Sequence, residues 1–366
     1  MSVGGLTKGP ADDDDSFDFR IKTDNLRQLR PLVDWVAEQT GAVERLPRVY
    51  LVVDANTVRR ELGFRLRRRK EDARTDLDDV LASGIATVFA PPFLVQEVEK
   101  HLDGWAAKMK VPASRLRAEW ISYKGSLTFC LDAPVQTEPA RRLAQRDAKD
   151  LPYVYLQTNL SAEAILTLDK DIKETGSPTA DAAVVVDLRD YARDQSVVVT
   201  ITTGSVAGIS LLVKALLALG RVLVRSVLGI ILSLAAGTAL WILHRWEKAK
   251  AGSSAFGRAW ATFKDFVRKL LRTIMRSHSR AKLKWKRLMT LFSKIRRRTL
   301  RQFIFAVCAI ARKALTIIEI AQRVLSEGHR TRAKRFRSQV RRLLRSDSRF
   351  AETSKGWVLQ PWAAAA

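Results

Sequence analysis

The chain has 366 residues, 64 Lys+Arg against 38 Asp+Glu, a formal net charge of +26, two cysteines and four histidines. That length exceeds one typical domain and is ample to bury a core. Cys130 and Cys308 lie far apart and His101, His244, His278 and His329 show no ligand spacing, which excludes a disulfide framework and a Cys/His zinc site.

The charge is unevenly spread. Residues 196–366 carry 35 Lys+Arg and 6 Asp+Glu, a charge of +29, and the first 195 residues are left at −3. The basic character therefore belongs to the second half.

The first 20 residues are Gly-rich and then acidic. Asp12 to Asp15 is a like-charge run of the kind that stays disordered. The start has neither a basic n-region nor an apolar core, so no signal peptide is expected and the first half is expected in a reducing, cytoplasmic setting. Asp24 to Thr40 is predicted to be a helix capped by Asp24, with Leu26, Leu29, Leu32, Val33, Val36 and Ala37 on one face and Pro31 as a kink point.

Val49 to Val53, VYLVV, is a buried-strand pattern running into Asp54-Ala55-Asn56-Thr57. Asn56 to Leu66 is expected to be a helix, followed by the basic run Arg67-Arg68-Arg69-Lys70, which is placed to meet a phosphate backbone. Further expectations are a helix at Leu77 to Ala82, a strand at Ile85 to Phe89 and a helix at Pro91 to Trp105 carrying Glu97. Ser126 to Leu131 reads as a strand and Glu138 to Gln145 as a helix. Next comes a helix at Leu151 to Gln157, opened by Asp150 with Pro152 near its start, where proline is tolerated. Ala164 to Leu168 has strand character and ends at Asp169, and Ala183 to Val186, AVVV, is read as the last of about five strands. Strands alternating with helices predict an α/β domain with a parallel, doubly covered sheet.

Four carboxylates recur at strand ends or helix starts: Asp54, Glu97, Asp150 and Asp169. A carboxylate just past a strand sits where open α/β sheets place ligands. One at a helix start is expected to be kept ionised by the helix dipole. Taken singly, each has an ordinary reading, as a cap, a solvated helix residue or a turn. Together they are expected to repel one another and to hold a cation. Oxygen-only ligands favour Mg²⁺ or Mn²⁺, which can activate water and neutralise charge on a phosphodiester.

The order of these motifs resembles the PIN-domain nucleases over roughly Val49 to Asp187. The motifs are VVDAN after a strand, a helix with Glu97, the run from Asp147 through Asp150 and Tyr153-Val154 to Leu156, and ILTLDKD. The resemblance implies a three-layer domain with a central parallel sheet. It also implies a metal-binding acidic set of Asp54, Glu97, Asp150 and Asp169 assisted by Asp171, and metal-dependent hydrolysis of single-stranded RNA. Helical periodicity leaves Glu99 as an alternative to Glu97, and Asp147 as an alternative to Asp150.

Composition changes abruptly beyond. Val197 to Leu243 contains no acidic residue and three basic ones, Lys214, Arg221 and Arg225, and Val227 to Leu243 is an uncharged run of 17 residues. That is at the short end of what spans a bilayer, and Trp241, Arg245, Trp246 and Lys248 resemble an interfacial belt. The expectation is membrane association of residues 197–243, as a hairpin or an interfacial helix on the cytoplasmic face. The alternative is a cytoplasmic protein with a buried helical hairpin.

Phe256 to Leu325 is expected to be helical and basic. Its apolar stripes are Phe266, Leu270, Leu271 and Ile274, then Leu283, Leu288, Leu291, Phe292 and Ile295, then Phe303 to Ile320.

The resulting organisation is a disordered N-terminus (1–20), a nuclease-like domain (21–195), a hydrophobic helical segment forming a membrane hairpin (196–246), a basic helical region (247–349) and an unstructured tail (350–366). The reading is a membrane-associated, metal-dependent endoribonuclease. Its rivals are a membrane-active effector, or an RNA-binding protein in which the first half is regulatory. A homo-oligomer and an antitoxin-like regulator are compatible with the reading, and no motif specifies either.

Overall fold

The computed structural model describes residues 23–40, 46–67, 74–200, 255–292, 298–311, 313–329, 331, 333 and 335–359. Asp12 to Asp15, Arg68 to Lys70, Ile295 and the apolar run Val227 to Leu243 lie outside the described residues. Among the described residues no helix is long and apolar enough to cross a membrane.

The first part alternates strands and helices: α1 (Asp24–Thr40), β1 (Val49–Val53), α2 (Ala55–Arg67), α3 (Asp76–Ser83), β2 (Ala86–Ala90), α4 (Phe93–Met109), α5 (Ala113–Ser126) and β3 (Thr128–Phe129). It continues with α6 (Glu138–Arg146), a 3₁₀ turn (Ala148–Asp150), α7 (Leu151–Leu160), β4 (Ala164–Leu166), α8 (Lys170–Glu174) and β5 (Thr179–Ala180). The strands form one parallel sheet in the order β3-β2-β1-β4-β5. This is the expected α/β class with helices on both faces.

β1 is central and every one of its residues is buried, as a strand covered on both faces must be. Its apolar and β-branched residues suit that place. α2, α4 and α5 pack on one another, while α7 packs on β1, β2 and β4, with α6 against it. Right-handed crossovers place these two groups on opposite faces, because the chain leaves β1 in one direction and returns past it in the other.

Three expectations are corrected. Ala183 to Val186 is not a strand but part of a helix over residues 182–200, capped where Asp181 Oδ1 accepts the Ala183 N–H at 2.9 Å. Val184, Val185, Leu188, Tyr191 and Ala192 are buried, a helical spacing that the short window AVVV conceals. The fifth strand is Thr179–Ala180, which pairs with Ile165 and Leu166. It follows Pro178, as an edge strand can.

The tail from residue 350 is not unstructured. β6 (Phe350–Thr353) and β7 (Gly356–Leu359) form an antiparallel hairpin, with Phe350 and Trp357 buried. Leu315 and Trp357 exchange backbone hydrogen bonds at 2.8 and 2.7 Å. Gly356 has φ +129°, and a Cβ there would lie 2.5 Å from the Leu315 carbonyl oxygen, so only glycine fits.

Phe303 to Ile320 is not one helix. Leu300–Ala311 and Ile317–Ser326 are separate, and Thr316 and Glu319 form a capping box for the second. On the long helix Ala255–Leu291, Leu271, Leu283 and Leu291 are exposed, whereas Leu288 is buried, as is Phe292 just beyond it. A helix Phe336–Ser346 follows, burying Phe336, Val340 and Leu344.

Of the described residues, those within 23–192 and 283–359 form one compact unit, and those within 193–200 and 255–282 belong to another. In the first unit Phe303 to Ala309 are all buried, and the helix they belong to packs on α7 and β3. Within the second, Arg280 Nε lies 3.3 Å from Asp194 Oδ1.

The end of the sheet away from the strands' carboxyl ends carries a half-buried charged cluster. Arg298 pairs with Glu163 and stacks on the Tyr50 ring with its guanidinium carbon 3.9 Å from the centroid. The Tyr50 N–H donates to Glu163 Oε2 at 2.6 Å, and the Tyr50 hydroxyl donates to Glu327 at 2.8 Å. Glu327 also pairs with Arg48.

Candidate active site

β1 lies between β2 and β4, and the chain leaves these strands in opposite directions. A sheet of this kind opens a crevice beyond the carboxyl ends of its strands at that point. Three of the four expected carboxylates follow directly from it. Asp54 comes straight after β1, Asp169 follows β4, and Glu97 sits on α4 after β2.

Asp54 is 3% exposed. Its Oδ1 accepts the Thr57 N–H at 2.7 Å, which caps α2, and its Oδ2 accepts the Thr167 hydroxyl. Burial raises its pKa, the bonds from Thr167 and Thr57 oppose that rise, and Glu97 adds to it. The ordinary capping role of Asp54 and its place in the acidic set thus coexist.

Thr167 is the residue that sequence reasoning missed. It is 1% exposed, donates its hydroxyl to Asp54 and accepts the Asp169 N–H at 2.9 Å. Its own N–H donates to Ala180 in β5. One side chain therefore ties the Asp54 carboxylate to the backbone of Asp169. Its signal was a hydroxyl in an otherwise apolar strand end, Ile165-Leu166-Thr167-Leu168.

Glu97 is half-buried and accepts the Tyr153 hydroxyl at Oε2. Burial first, and Glu97 second, push the Tyr153 phenol up, so it stays a donor. Glu99 is exposed and pairs with Lys124 at 3.3 Å.

Asp150 ends the 3₁₀ turn and precedes α7, with no capping bond from its side chain. Its carboxyl is pushed up to about 7, by burial first and then by Asp169, Asp147, Glu97 and Asp54. The expectation that the helix dipole keeps it ionised is therefore corrected: burial and four like charges outweigh a dipole effect of about 0.3–1 kcal/mol. Asp147 instead caps the 3₁₀ turn, where its Oδ1 accepts the Lys149 N–H at 3.0 Å.

Asp169 accepts the Asp171 N–H at 2.7 Å and so caps α8. Asp171 is half-exposed, 3.8 Å from Arg146.

Among the described residues no three His, Cys, Asp or Glu side chains converge to ligand distance of one point. Asp54, Asp169 and Glu97 are instead engaged with Thr57 and Thr167, Asp171 and Tyr153. The donor set still fits a hard divalent cation. It is all oxygen, and the upward pull of four carboxylates on Asp150 is the signature of excess negative charge.

A basic groove of about 900 Å³ opens beside Asp169 and Asp171. Arg59, Arg60 and Arg67 line it from α2, Lys108 from α4 and Lys170 from α8. Of the basic run expected there, Arg67 stands in the groove, while Arg68, Arg69 and Lys70 lie outside the described residues. Five cations and two carboxylates, Asp169 and Asp171, thus line one open groove, whose field favours anions.

Residues 52–189 match the family model for the PIN domain, a family of nucleases. No curated protein and no solved structure matches the chain.

Proposed function

We propose, since residues 52–189 are a PIN domain, that this chain is a Mg²⁺- or Mn²⁺-dependent endoribonuclease that hydrolyses phosphodiester bonds in single-stranded RNA. The observation that carries the proposal is that Asp54 and Asp169 follow neighbouring parallel strands and are joined through Thr167, with Asp169 also lining the basic groove.

In this reading Asp54, Glu97, Asp150 and Asp169 hold the cation, with Asp171 at the groove side. A bound divalent cation supplies neutralisation of charge on the phosphoryl oxygens and a lowered pKa for water. The chain's own residues do the rest. Thr57 and Thr167 orient Asp54, and Tyr153 fixes the rotamer of Glu97 by donating to it. Asp150, whose carboxyl is pushed up to about 7 by burial and its acidic neighbours, would release its proton when a cation is held there. Arg59, Arg60, Arg67, Lys108 and Lys170 bind backbone phosphates and set the direction of the strand.

Membrane attachment belongs to the same proposal and rests on the sequence of residues 197–243. Two crossings, or an interfacial helix, keep the nuclease and the basic C-terminal half together on the cytoplasmic face. RNA and anionic lipid are the partners.

The test uses the full chain in detergent, with single-stranded RNA, duplex RNA and single-stranded DNA, each with Mn²⁺, Mg²⁺ or EDTA. Cation-dependent internal cuts in single-stranded RNA are expected, and Asp54→Asn should abolish them. Cleavage that persists in EDTA, or that survives Asp54→Asn, would sink the reading.

A further inference from the structure

One aromatic ring on α2 faces outward. Val58, Leu62 and Leu66 of that helix are buried, whereas Phe64 is 48% exposed. Arg60, one turn before it, and Arg67, one turn after, each hold a guanidinium carbon 5.8 Å from the ring centroid. Both guanidiniums lie over the ring at the outer limit of cation–π contact, and the side chain keeps nearly half of its surface exposed.

The same two arginines line the basic groove that ends at Asp169, together with Arg59, Lys108 and Lys170. Phe64 does not itself line the groove but lies beside it on α2, between Arg60 and Arg67, which do. An exposed phenylalanine adds nothing to the core, and arginine solvation does not require it.

We propose that Phe64, flanked by Arg60 and Arg67, is a stacking platform for one unpaired base of the strand in the groove. The proposal deepens the reading of the site as a single-strand ribonuclease and rests on it. A base on the ring leaves its neighbouring phosphates within reach of the two guanidiniums. Every base has a π face, so the platform tolerates any sequence, but in a duplex those faces are taken by neighbouring bases. It is therefore a positioning residue that selects single strands.

The experiment uses the full chain carrying Asp54→Asn, so that bound RNA is not cut, and a short oligoribonucleotide with a single 5-iodouridine moved along it. Irradiation couples iodouracil to an aromatic ring stacked on it. A cross-link to Phe64 is expected from one position of the probe, identified by mass spectrometry, and it should vanish in Phe64→Leu, which keeps the apolar bulk. Affinity should fall about 5- to 150-fold in Phe64→Leu and by a similar factor when the cross-linking nucleotide is made abasic. The two changes combined should cost no more than one. Phe64→Trp should retain the affinity. RNA binding unchanged in Phe64→Leu, or a cross-link elsewhere, would overturn the platform while leaving the nuclease standing. A parent chain that neither binds nor cuts any single strand would overturn both.

Discussion

Thr167 hands its hydroxyl hydrogen to Asp54 while its oxygen receives the Asp169 N–H, so one buried side chain ties the Asp54 carboxylate to the backbone of Asp169 just beyond the neighbouring strand. Thr167→Val keeps the shape and removes both bonds. The Asp54 oxygen left without its donor should cost about 1–3 kcal/mol of stability. Affinity for Mn²⁺ should drop roughly 10- to 100-fold, as when an outer partner of a metal ligand is removed. Calorimetric titration with Mn²⁺, beside thermal melting, checks both; equal affinity would reduce Thr167 to packing.

Asp54→Asn and Asp150→Asn should each lower cleavage by roughly 10²-fold or more, the scale for losing a group that stabilises developing charge. Neither should unfold the protein. Removing one member of a repelling set relieves the remainder, so stability in EDTA should hold or rise. Circular dichroism and a gel assay of each variant decide it, and full activity in either removes that residue from the site.

The Asp150 carboxyl gives a pH dependence of definite sign. Its pKa in the fold is about 7 against an ordinary 3.8, so the fold favours its neutral form. This contribution to stability is complete below about 4 and is lost as the pH rises through about 7. In EDTA the melting temperature should therefore fall between those values, and Asp150→Asn should flatten that fall. Adding Mn²⁺ at pH 8 should restore the loss. A melting temperature independent of pH across this window in EDTA would refute the coupling.

Breaking the pair under the sheet should be costly. Glu163→Gln leaves the Arg298 guanidinium mostly buried against Tyr50 without its counter-charge. A loss of about 3–5 kcal/mol is expected, measured by urea unfolding. The double change Glu163→Gln with Arg298→Met should recover part of it, because no charge is then stranded. If the single change costs less than about 1 kcal/mol, the C-terminal segment is held by its apolar packing alone.

On the helix Phe336–Ser346, Arg337, Arg341, Arg342 and Arg345 are exposed, while Phe336, Val340 and Leu344 are buried. Glutamine at the four arginines should thus spare the fold. If they meet RNA, removing each arginine that neutralises a phosphate should flatten the slope of log affinity against log salt by about 0.7. An unchanged slope, with weaker flotation on anionic vesicles, would assign this ridge to lipid.

Asp54 and Asp169 were legible because each ends an apolar run that only a central strand explains, and the sheet order brings such ends together. For Glu97 and Asp150 chain order left Glu99 and Asp147 as alternatives, and in the fold Glu99 pairs with Lys124 while Asp147 caps the 3₁₀ turn and adds its charge to Asp150. Thr167 was hidden because a β-branched residue at a strand end looks like strand material. α5 was missed although Leu116, Trp120 and Tyr123 keep helical spacing, because charged residues interrupt the pattern. β5 has two residues, too few for any periodicity. The β6–β7 hairpin depends on Leu315, some forty positions away, which no local pattern reveals. The groove was only partly legible, since Lys108 and Lys170 join Arg59 and Arg60 through the fold and not through a run.

The clasp at the lower end of the sheet also sets a schedule. Arg48 and Glu327 are 279 residues apart, and Tyr50 and Glu327 are 277 apart. At about 5–20 residues per second on a ribosome, the later partner is made roughly 15–55 s after the earlier one. During that interval β1 and β4 have been synthesised, but the side chains that close them from below have not. The apolar stretch after residue 196 is translated within the same interval. A growing chain therefore completes that apolar stretch before the pair that closes this end of the sheet can form.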